Sequence, residues 1–507
     1  MLLAQTLRKL LILWSQGKLS PLPIDLTREI PLILTQVLIR TLYSQNKDGS
    51  WGQSCETSSF ALLTLIDFSP SLGLRRLSQK SWKQFKNVKN ISPRTLTYGS
   101  GLLSQAYCIA AYNEALNLYK DPHSWSPELI ELTNINETAV QRFTKCFSKL
   151  TIFSQVSEWA IQASIIEGYQ FLTRLDEARH MVFPRKNMAK DSYLEYIPIT
   201  WTICNNYSSA FLSNELLWDI MTVSMLNYQV DEFMETTVHD AFKNDLESAK
   251  CIIRRIIVQS KEKFYDKPTS TEFNYVTTLT MIWKRSSSIF NPKIHPQGAS
   301  VAQELETFIM AHLDQIHDNR VLGEYSPLDS QPREVINFSK PGQTYFDWAH
   351  MTSAAHTSCL YSFSYFPCLI SSNTSRHGSF SAIQQKYLAQ DLRRHLAAMC
   401  RQYNDLGSVN RDRLEQNLNS INFPEFNFCG DTDAEVFSTE STYADETQRK
   451  AALYQMAEHE RACMSTAFKE LSKTLDNYTK TALQVFVDVT DLYGQIYVAR
   501  DIASRMR

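Results

Sequence analysis

The sequence predicts an all-α protein. Glycine and proline are scarce, 14 and 17 of 507 residues, about half the ~12% usual in globular chains. Hydrophobic residues make up 43% of the chain, and they recur at helical spacing over long stretches. No strand series, internal repeat of fixed period or low-complexity tract stands out. That composition argues against a β-sandwich, a collagen-like chain and a disordered polymer. The length corresponds to roughly three domain-equivalents at ~150 residues each. Lys and Arg number 51 against 53 Asp and Glu, a formal charge of −2. Such a balance argues against a nucleic-acid binder held by a global positive field.

The N-terminus, MLLAQTLRKLLILWSQGK, reads as an amphipathic first helix. Arg8 and Lys9 interrupt its apolar pattern, leaving neither a signal-peptide pattern nor the ~20 apolar residues of a membrane span. A second helix over 27–44 breaks at QNKDGSWG (45–52), where Asp-Gly-Ser favours a tight turn. ETSSFALLTL (56–65) resumes the helical pattern, with Thr57 or Ser58 near its start. A loop at 87–95 precedes a helix near 102–119, and KDPHSWSPEL (120–129) is the best linker. Beyond it the spacing predicts helices within 135–180, 205–240, 245–265, 298–317, 346–365, 383–415 and 447–500. Loops at 266–272, 318–342 and 424–446 are long enough for a functional rim. Two all-α units follow, 1–125 and 126–507.

Ten cysteines are scattered without a CxxC pair, so a zinc ribbon or thioredoxin-like site has no support. A chain this long does not need disulfides. A reducing, cytoplasmic location is expected. The eleven histidines show no zinc-binding spacing; His350 and His356, six apart on one expected helix, read as core or surface residues. Neither a phosphate-binding GKS/GKT loop nor a dinucleotide GxGxxG is present.

Two constellations carry chemistry. In Asp231-Glu-Phe-Met-Glu235, four residues advance about 400° around a helix, so Asp231 and Glu235 share a face. Two carboxylates aimed alike repel, and a hard divalent cation relieves them. Alone, the pair reads more readily as a solvated acidic face. In NDLGSVNRD (404–412), Asn404, Ser408 and Asp412 recur every four residues and offer an amide oxygen, a hydroxyl and a carboxylate. The competing reading is a polar helix end broken at Gly407, since glycine weakens a helix interior by roughly 1 kcal/mol. NDLES (244–248) opens alike but steps next to Ile252, so it reads as a solvated face.

DEFME resembles the aspartate-rich DDxxD motif of class I terpene synthases, and NDLGSVNRD resembles their (N,D)Dxx(S,T)xxxE motif. QNKDGSWG followed by ETSSFALLTL resembles the QW-type repeat of terpene cyclase β domains. NDLGSVNRDRLEQNLNSINFPEF, FDWAHMTSAAHTSC and YLEYIPITW are most similar to fungal bifunctional copalyl diphosphate/ent-kaurene synthases. The resemblance covers nearly the whole chain but only the C-terminal part of such a protein. Asp412 stands where the pattern has Glu, and Glu232 and Glu235 replace two aspartates. No DxDD occurs, Asp431-Thr-Asp433-Ala being a partial imitation. In the family, DxDD supplies the acid of class II cyclisation, so this chain is not expected to make its own copalyl diphosphate.

The resemblance implies a class I terpene synthase α-helical bundle over 126–507. Residues 1–125 would be a smaller, truncated α-barrel-type β domain. It implies Mg²⁺, three ions per active site, held by Asp231 and Glu235 on one side and Asn404, Ser408 and Asp412 on the other. Glu232 ranks lower, and Arg401 and Arg411 are either diphosphate contacts or surface arginines. Trp201, Tyr207, Phe211, Tyr228, Phe346 and Trp348 are candidates for an aromatic cavity wall, or ordinary core. The loop 424–446 is either a lid or an exposed acidic loop. The implied activity is diterpene cyclisation of a copalyl-type diphosphate to a polycyclic, ent-kaurene-like product with release of diphosphate. A separate class II cyclase would supply the substrate, with no nucleic acid and no membrane span involved. The alternatives are direct cyclisation of an acyclic prenyl diphosphate such as geranylgeranyl diphosphate, or an inactive fragment serving as helical partner of a cyclase.

Overall fold

A computed structural model describes residues 2–20, 23–47, 50–52, 54–68, 101–120, 136–182, 192–262, 298–324, 335–340, 342–374, 380–427 and 439–499. Helices dominate, and the only strand-type pairing among the described residues is one antiparallel bridge between Gln45 and Trp51. Contacts group the chain into one unit of Met1–Arg174 with Pro198–Phe211, and a second of Leu175–Ile197 with Leu212–Arg507. The boundary expected near 125, the linker at 121–129 and the loop at 87–95 lie outside the described residues.

The first unit contains α1 (Leu2–Ser15), α2 (Ile24–Tyr43), α3 (Cys55–Phe68), α4 (Gly101–Lys120), α5 (Glu137–Phe147) and parts of α6 (Glu158–Val182) and α7 (Ser192–Tyr207). Leu34, Leu38, Ile39, Leu42, Trp51 and Leu65 share its core. The expected turn holds Trp51 in that core. Its indole donates to the Thr41 carbonyl at 2.6 Å, its backbone exchanges hydrogen bonds with Ser58 Oγ, and Gly52 takes φ +61°. Buried Glu167 accepts from Gln36 at 2.9 Å and Asn206 at 2.6 Å, which satisfies a carboxylate that burial pushes upward in pKa.

The second unit contains α8 (Asn214–Phe233), a π-helical turn (Met234–Val238), α9 (His239–Phe242), α10 (Leu246–Glu262) and α11 (Gly298–Glu324). There follow α12 (Tyr345–His350), α13 (Thr352–His356), α14 (Cys359–Thr374), α15 (Ile383–Glu415), α16 (Thr439–Ser472) and α17 (Asn477–Ala499). Expected boundaries held at α15 and gave way elsewhere. The stretch 346–365 is three pieces, because Met351 (φ −115°, ψ −87°) and Thr357 (ψ 140°) leave the helical region. The stretch 447–500 is two helices, with Asp476 accepting from Thr479 N at 3.2 Å at the second start. Part of the loop expected at 424–446 is the beginning of α16, while 428–438, 266–272 and 325–334 lie outside the described residues, as do Asp431 and Asp433.

Gly407 does not break α15. A Cβ there would stand 2.2 Å from the Tyr497 carbonyl oxygen, and one at Gly494 would stand 2.6 Å from the Tyr403 ring. Gly407 lets α15 approach the backbone of α17, and Gly494 lets α17 approach the Tyr403 ring of α15. The helix ends instead at Gln416, whose φ of +57° turns the chain into a strap, two short 3₁₀ turns over Ser420–Asn422 and Pro424–Phe426. Under the strap Phe338, Tyr345, Trp348, Leu418, Ile421, Phe423 and Phe426 form an apolar cluster. The nine cysteines among the described residues are free thiols. No helix among the described residues is long and apolar enough to cross a membrane.

Buried Glu460 of α16 ties α12 and α15 together, accepting from His350 Nε2 at 3.1 Å and His395 Nδ1 at 2.6 Å. Burial raises the Glu460 pKa, but the two histidine bonds outweigh it and bring it to about 2. Bonding to Glu460 raises His350 above its ordinary 6.5.

Two outcomes follow. Gly407→Ala should lower stability by about 1–3 kcal/mol through overpacking, although alanine ordinarily favours a helix by ~1 kcal/mol; a thermal melt that rises would contradict the close approach. The histidine contribution is complete below the unfolded pKa of 6.5 and lost as pH climbs through the raised value. The Glu460 contribution is complete above 4.5 and lost as pH falls toward about 2. Melting temperature should therefore decline from pH 6 to pH 9, and Glu460→Gln should flatten that decline. Equal slopes in both proteins would remove this bridge as the cause.

Candidate active site

Ser213 caps α8 by accepting from Leu216 N at 3.3 Å, and the helix runs with most of its surface buried to Asp231 near its end. The π-helical turn begins at Met234, so Glu235 sits on a wider turn than the even α-helical spacing assumed. Asp231 Oδ1 lies 2.8 Å from Nε2 of His312 on α11. Glu235 Oε1 lies 3.9 Å from Nε2 of His356 at the end of α13. The two imidazole rings stand 4.3 Å apart, so the two carboxylates address one buried histidine pair. Glu232 is half-buried, and its carbonyl accepts from Thr236 Oγ1 at 2.5 Å.

His312 also bonds the Phe308 carbonyl through Nδ1 at 2.9 Å. Burial, with His312 and Arg401 alongside, pushes His356 well below the ordinary imidazole pKa. Arg401 of α15 brings Nη1 to 3.3 Å from His356 Nδ1, and Nη2 donates to the Leu418 carbonyl at 3.2 Å. Its Nε forms an ion pair with Asp405 Oδ1 at 2.7 Å, and its guanidinium lies 5.4 Å from the centre of the Trp348 ring. Arg401 is thus a buried strut, not a surface arginine.

Along the same face of α15, Asn404 is half-buried and has no hydrogen-bond partner among the described residues. Ser408 Oγ donates to Asp412 Oδ2 at 2.5 Å, and Asn419 Nδ2 donates to the same oxygen at 2.8 Å. Arg411 Nε stands 3.8 Å from Asp412 Oδ1. Asp405 Oδ2 accepts from the Ser420 amide at 2.9 Å and the Ser420 hydroxyl at 2.6 Å. Burial raises Asp405 to about 6, the Arg401 charge opposing and the Asp412 charge adding to the rise. Burial also raises Asp412, against Arg411 and the Ser408 and Asn419 bonds. The contacts thus link Glu235 to α15 through His356 and Arg401, while Ser408 and Asp412 bond each other.

The aromatic candidates divide between the two units. Trp201, Tyr207 and Phe211 belong to the first unit, Phe346 is 67% exposed, and Trp348 lies beneath Arg401. Tyr228 precedes Asp231 by three residues on α8. It stacks on Tyr193 at 4.2 Å; Tyr193 in turn lies 6.1 Å from Tyr493 and shares a 3.2 Å hydroxyl contact with Tyr497. The NDLES segment has a local role: Asp245 accepts from the Ser248 amide and hydroxyl at the start of α10.

Sequence spacing missed His312, His356, Asp405, Asn419 and Ser420. The histidines sit on separate helices with no short-range motif, and Asp405 hides inside the 404–412 run between the positions the pattern selects. His356 was legible only as a core or surface histidine within the expected helix 346–365.

No family model matches the chain. It is 32% identical to a pimaradiene synthase, pbcA, of Emericella nidulans over 98% of this chain and 54% of that protein. It is 30% identical to an ent-kaur-16-ene synthase of Fusarium fujikuroi over 100% of this chain and 55% of that protein. A bifunctional premutilin synthase of Rhodocybe pseudopiperita matches at 25% over 94% of this chain and 50% of its own length. The chain spans about half the length of the curated relatives it matches. The chain is thus similar over nearly all its residues to fungal diterpene synthases, with which its helical architecture is consistent.

Proposed function

We propose that the protein is a class I diterpene cyclase that ionises a copalyl-type diphosphate and releases inorganic diphosphate. The observation that carries this reading is the convergence of Asp231 and Glu235 on one histidine pair, which Arg401 connects to the helix bearing Asn404, Ser408 and Asp412. The donor set suits a divalent cation: carboxylates on two helices, an amide without a partner among the described residues and a hydroxyl. Asp231 and Glu235 would hold Mg²⁺ from one side, and Asn404, Ser408 and Asp412 from the other. Magnesium, when bound, would neutralise the charge that develops on the departing diphosphate.

The chain's own groups would do the rest. Breaking the carbon–oxygen bond sends its electron pair to the diphosphate and leaves an allylic cation. Tyr228 and the rings stacked behind it could present π faces to that cation, each worth ~0.5–2 kcal/mol. Arg401, spent on Asp405, Leu418 and His356, would position His356 rather than grip phosphate directly. Ring closure followed by loss of a proton would give an ent-kaurene-like hydrocarbon. Residues 1–125 would be a partial β domain.

Asp231→Ala and Asn404→Ala should each lower turnover at least about 100-fold, the usual cost of losing a charge-stabilising group, with circular dichroism and melting unchanged. Purified protein given copalyl diphosphate and geranylgeranyl diphosphate separately, with Mg²⁺, should form hydrocarbon from the first only. Product from geranylgeranyl diphosphate alone would instead establish direct cyclisation, and no product from either would leave a non-catalytic partner.

A further inference from the structure

His312 is 1% exposed, and its tautomer is determined by what surrounds it. A backbone carbonyl can only accept, so the 2.9 Å contact with the Phe308 oxygen places a hydrogen on Nδ1. Nε2 is then the ring atom left to face Asp231 Oδ1, 2.8 Å away. A ring nitrogen and a carboxylate oxygen at that distance share either a proton or one metal ion. Metal-binding histidines characteristically anchor the other ring nitrogen on a carbonyl in this way.

Ligand atoms of Asp231, His312 and His356 lie within 4.8 Å of one another, but the three are not equivalent. A guanidinium can only donate, so Arg401 Nη1 makes His356 Nδ1 the acceptor and puts the hydrogen on Nε2. That buried Nε2 makes no hydrogen bond among the described residues. It is an N–H group near Glu235, suited to an anion or to the water completing a metal's shell, not to the metal.

We propose that His312 Nε2 is a nitrogen ligand which, with the Asp231 carboxylate, forms a mixed nitrogen–oxygen site that prefers borderline transition ions such as Co²⁺ to Mg²⁺. Imidazole nitrogen favours later first-row ions, whereas an all-oxygen set suits Mg²⁺. The site presupposes that Asp231 binds metal, as proposed above.

Co²⁺ alone and Mg²⁺ alone, titrated into the full chain by calorimetry and, for Co²⁺, by visible absorbance, test it without turnover. His312→Gln replaces nitrogen by oxygen or amide at a similar reach. It should reduce Co²⁺ affinity about 10–100-fold, alter the Co²⁺ spectrum, and leave Mg²⁺ affinity within about threefold; Asp231→Asn should weaken both metals. An unchanged Co²⁺ spectrum and affinity in His312→Gln, with both metals lost in Asp231→Asn, would overturn the nitrogen ligand and leave the Asp231 assignment standing. Wild-type binding in Asp231→Asn would remove both. Should His312→Gln fail to fold, pulsed electron paramagnetic resonance of wild-type protein loaded with Mn²⁺ decides: imidazole nitrogen modulation supports the site, and its absence overturns it.

Discussion

The buried Arg401 guanidinium is the constraint on which the geometry around the candidate site depends. Withdrawing a charge from water costs several kcal/mol, so it persists only where its donors are matched. Asp405 supplies the opposite charge, and the Leu418 carbonyl and His356 Nδ1 accept hydrogen bonds. These partners belong to α15 itself, to the strap that follows it and to α13. One side chain therefore fixes where the strap crosses the helix and which way His356 faces. Trp348 closes the remaining face with its ring.

The axis of α15 is held by a different means. Gly407 and Gly494 remove the two methyl groups that would keep α15 and α17 apart, at the level of the Tyr497 carbonyl and the Tyr403 ring. Asn404 and Ser408 flank that point of closest approach, so their register is set by backbone packing, not by hydrogen bonds alone. Substitution at Gly407 would act on the candidate ligands through helix position even though glycine offers no ligand atom.

Legibility in the sequence follows the range of the interaction. Helix α15 was readable from 383 to 415 because periodicity is local, and so was the turn at 45–52, whose Trp51 lies seven residues from its Ser58 partner. The common orientation of Asp231 and Glu235 was likewise within one helical turn. The break of 346–365 into three pieces was hidden, since ordinary residues, Met351 and Thr357, carry the non-helical dihedrals. Gly407 left two readings open, a continuous helix or a broken end, because the neighbour that requires it is distant in sequence. His312 and His356 were invisible for the same reason: their meaning lies in Phe308, Asp231 and Arg401, and sequence spacing says nothing of which helices meet.

The two sides of the candidate site differ in how much must change for a cation to be held. Asp231 and Glu235 retain 39% and 31% of their side-chain surface. Asp412 retains 8% and already accepts from Ser408 and Asn419 through one oxygen. A cation taken by Asp412 and Ser408 would have to replace the hydrogen bond between them, because a hydroxyl giving its hydrogen to that carboxylate must turn to present a lone pair. Asn419 would have to keep its bond to the Asp405 carbonyl while sharing the carboxylate. Under the proposed function, the α8 side is thus the more accessible to a first ion, and the α15 side must open the bond between Ser408 and Asp412 to receive one. Asn404, with no hydrogen bond to break among the described residues, is the group on α15 that can engage first.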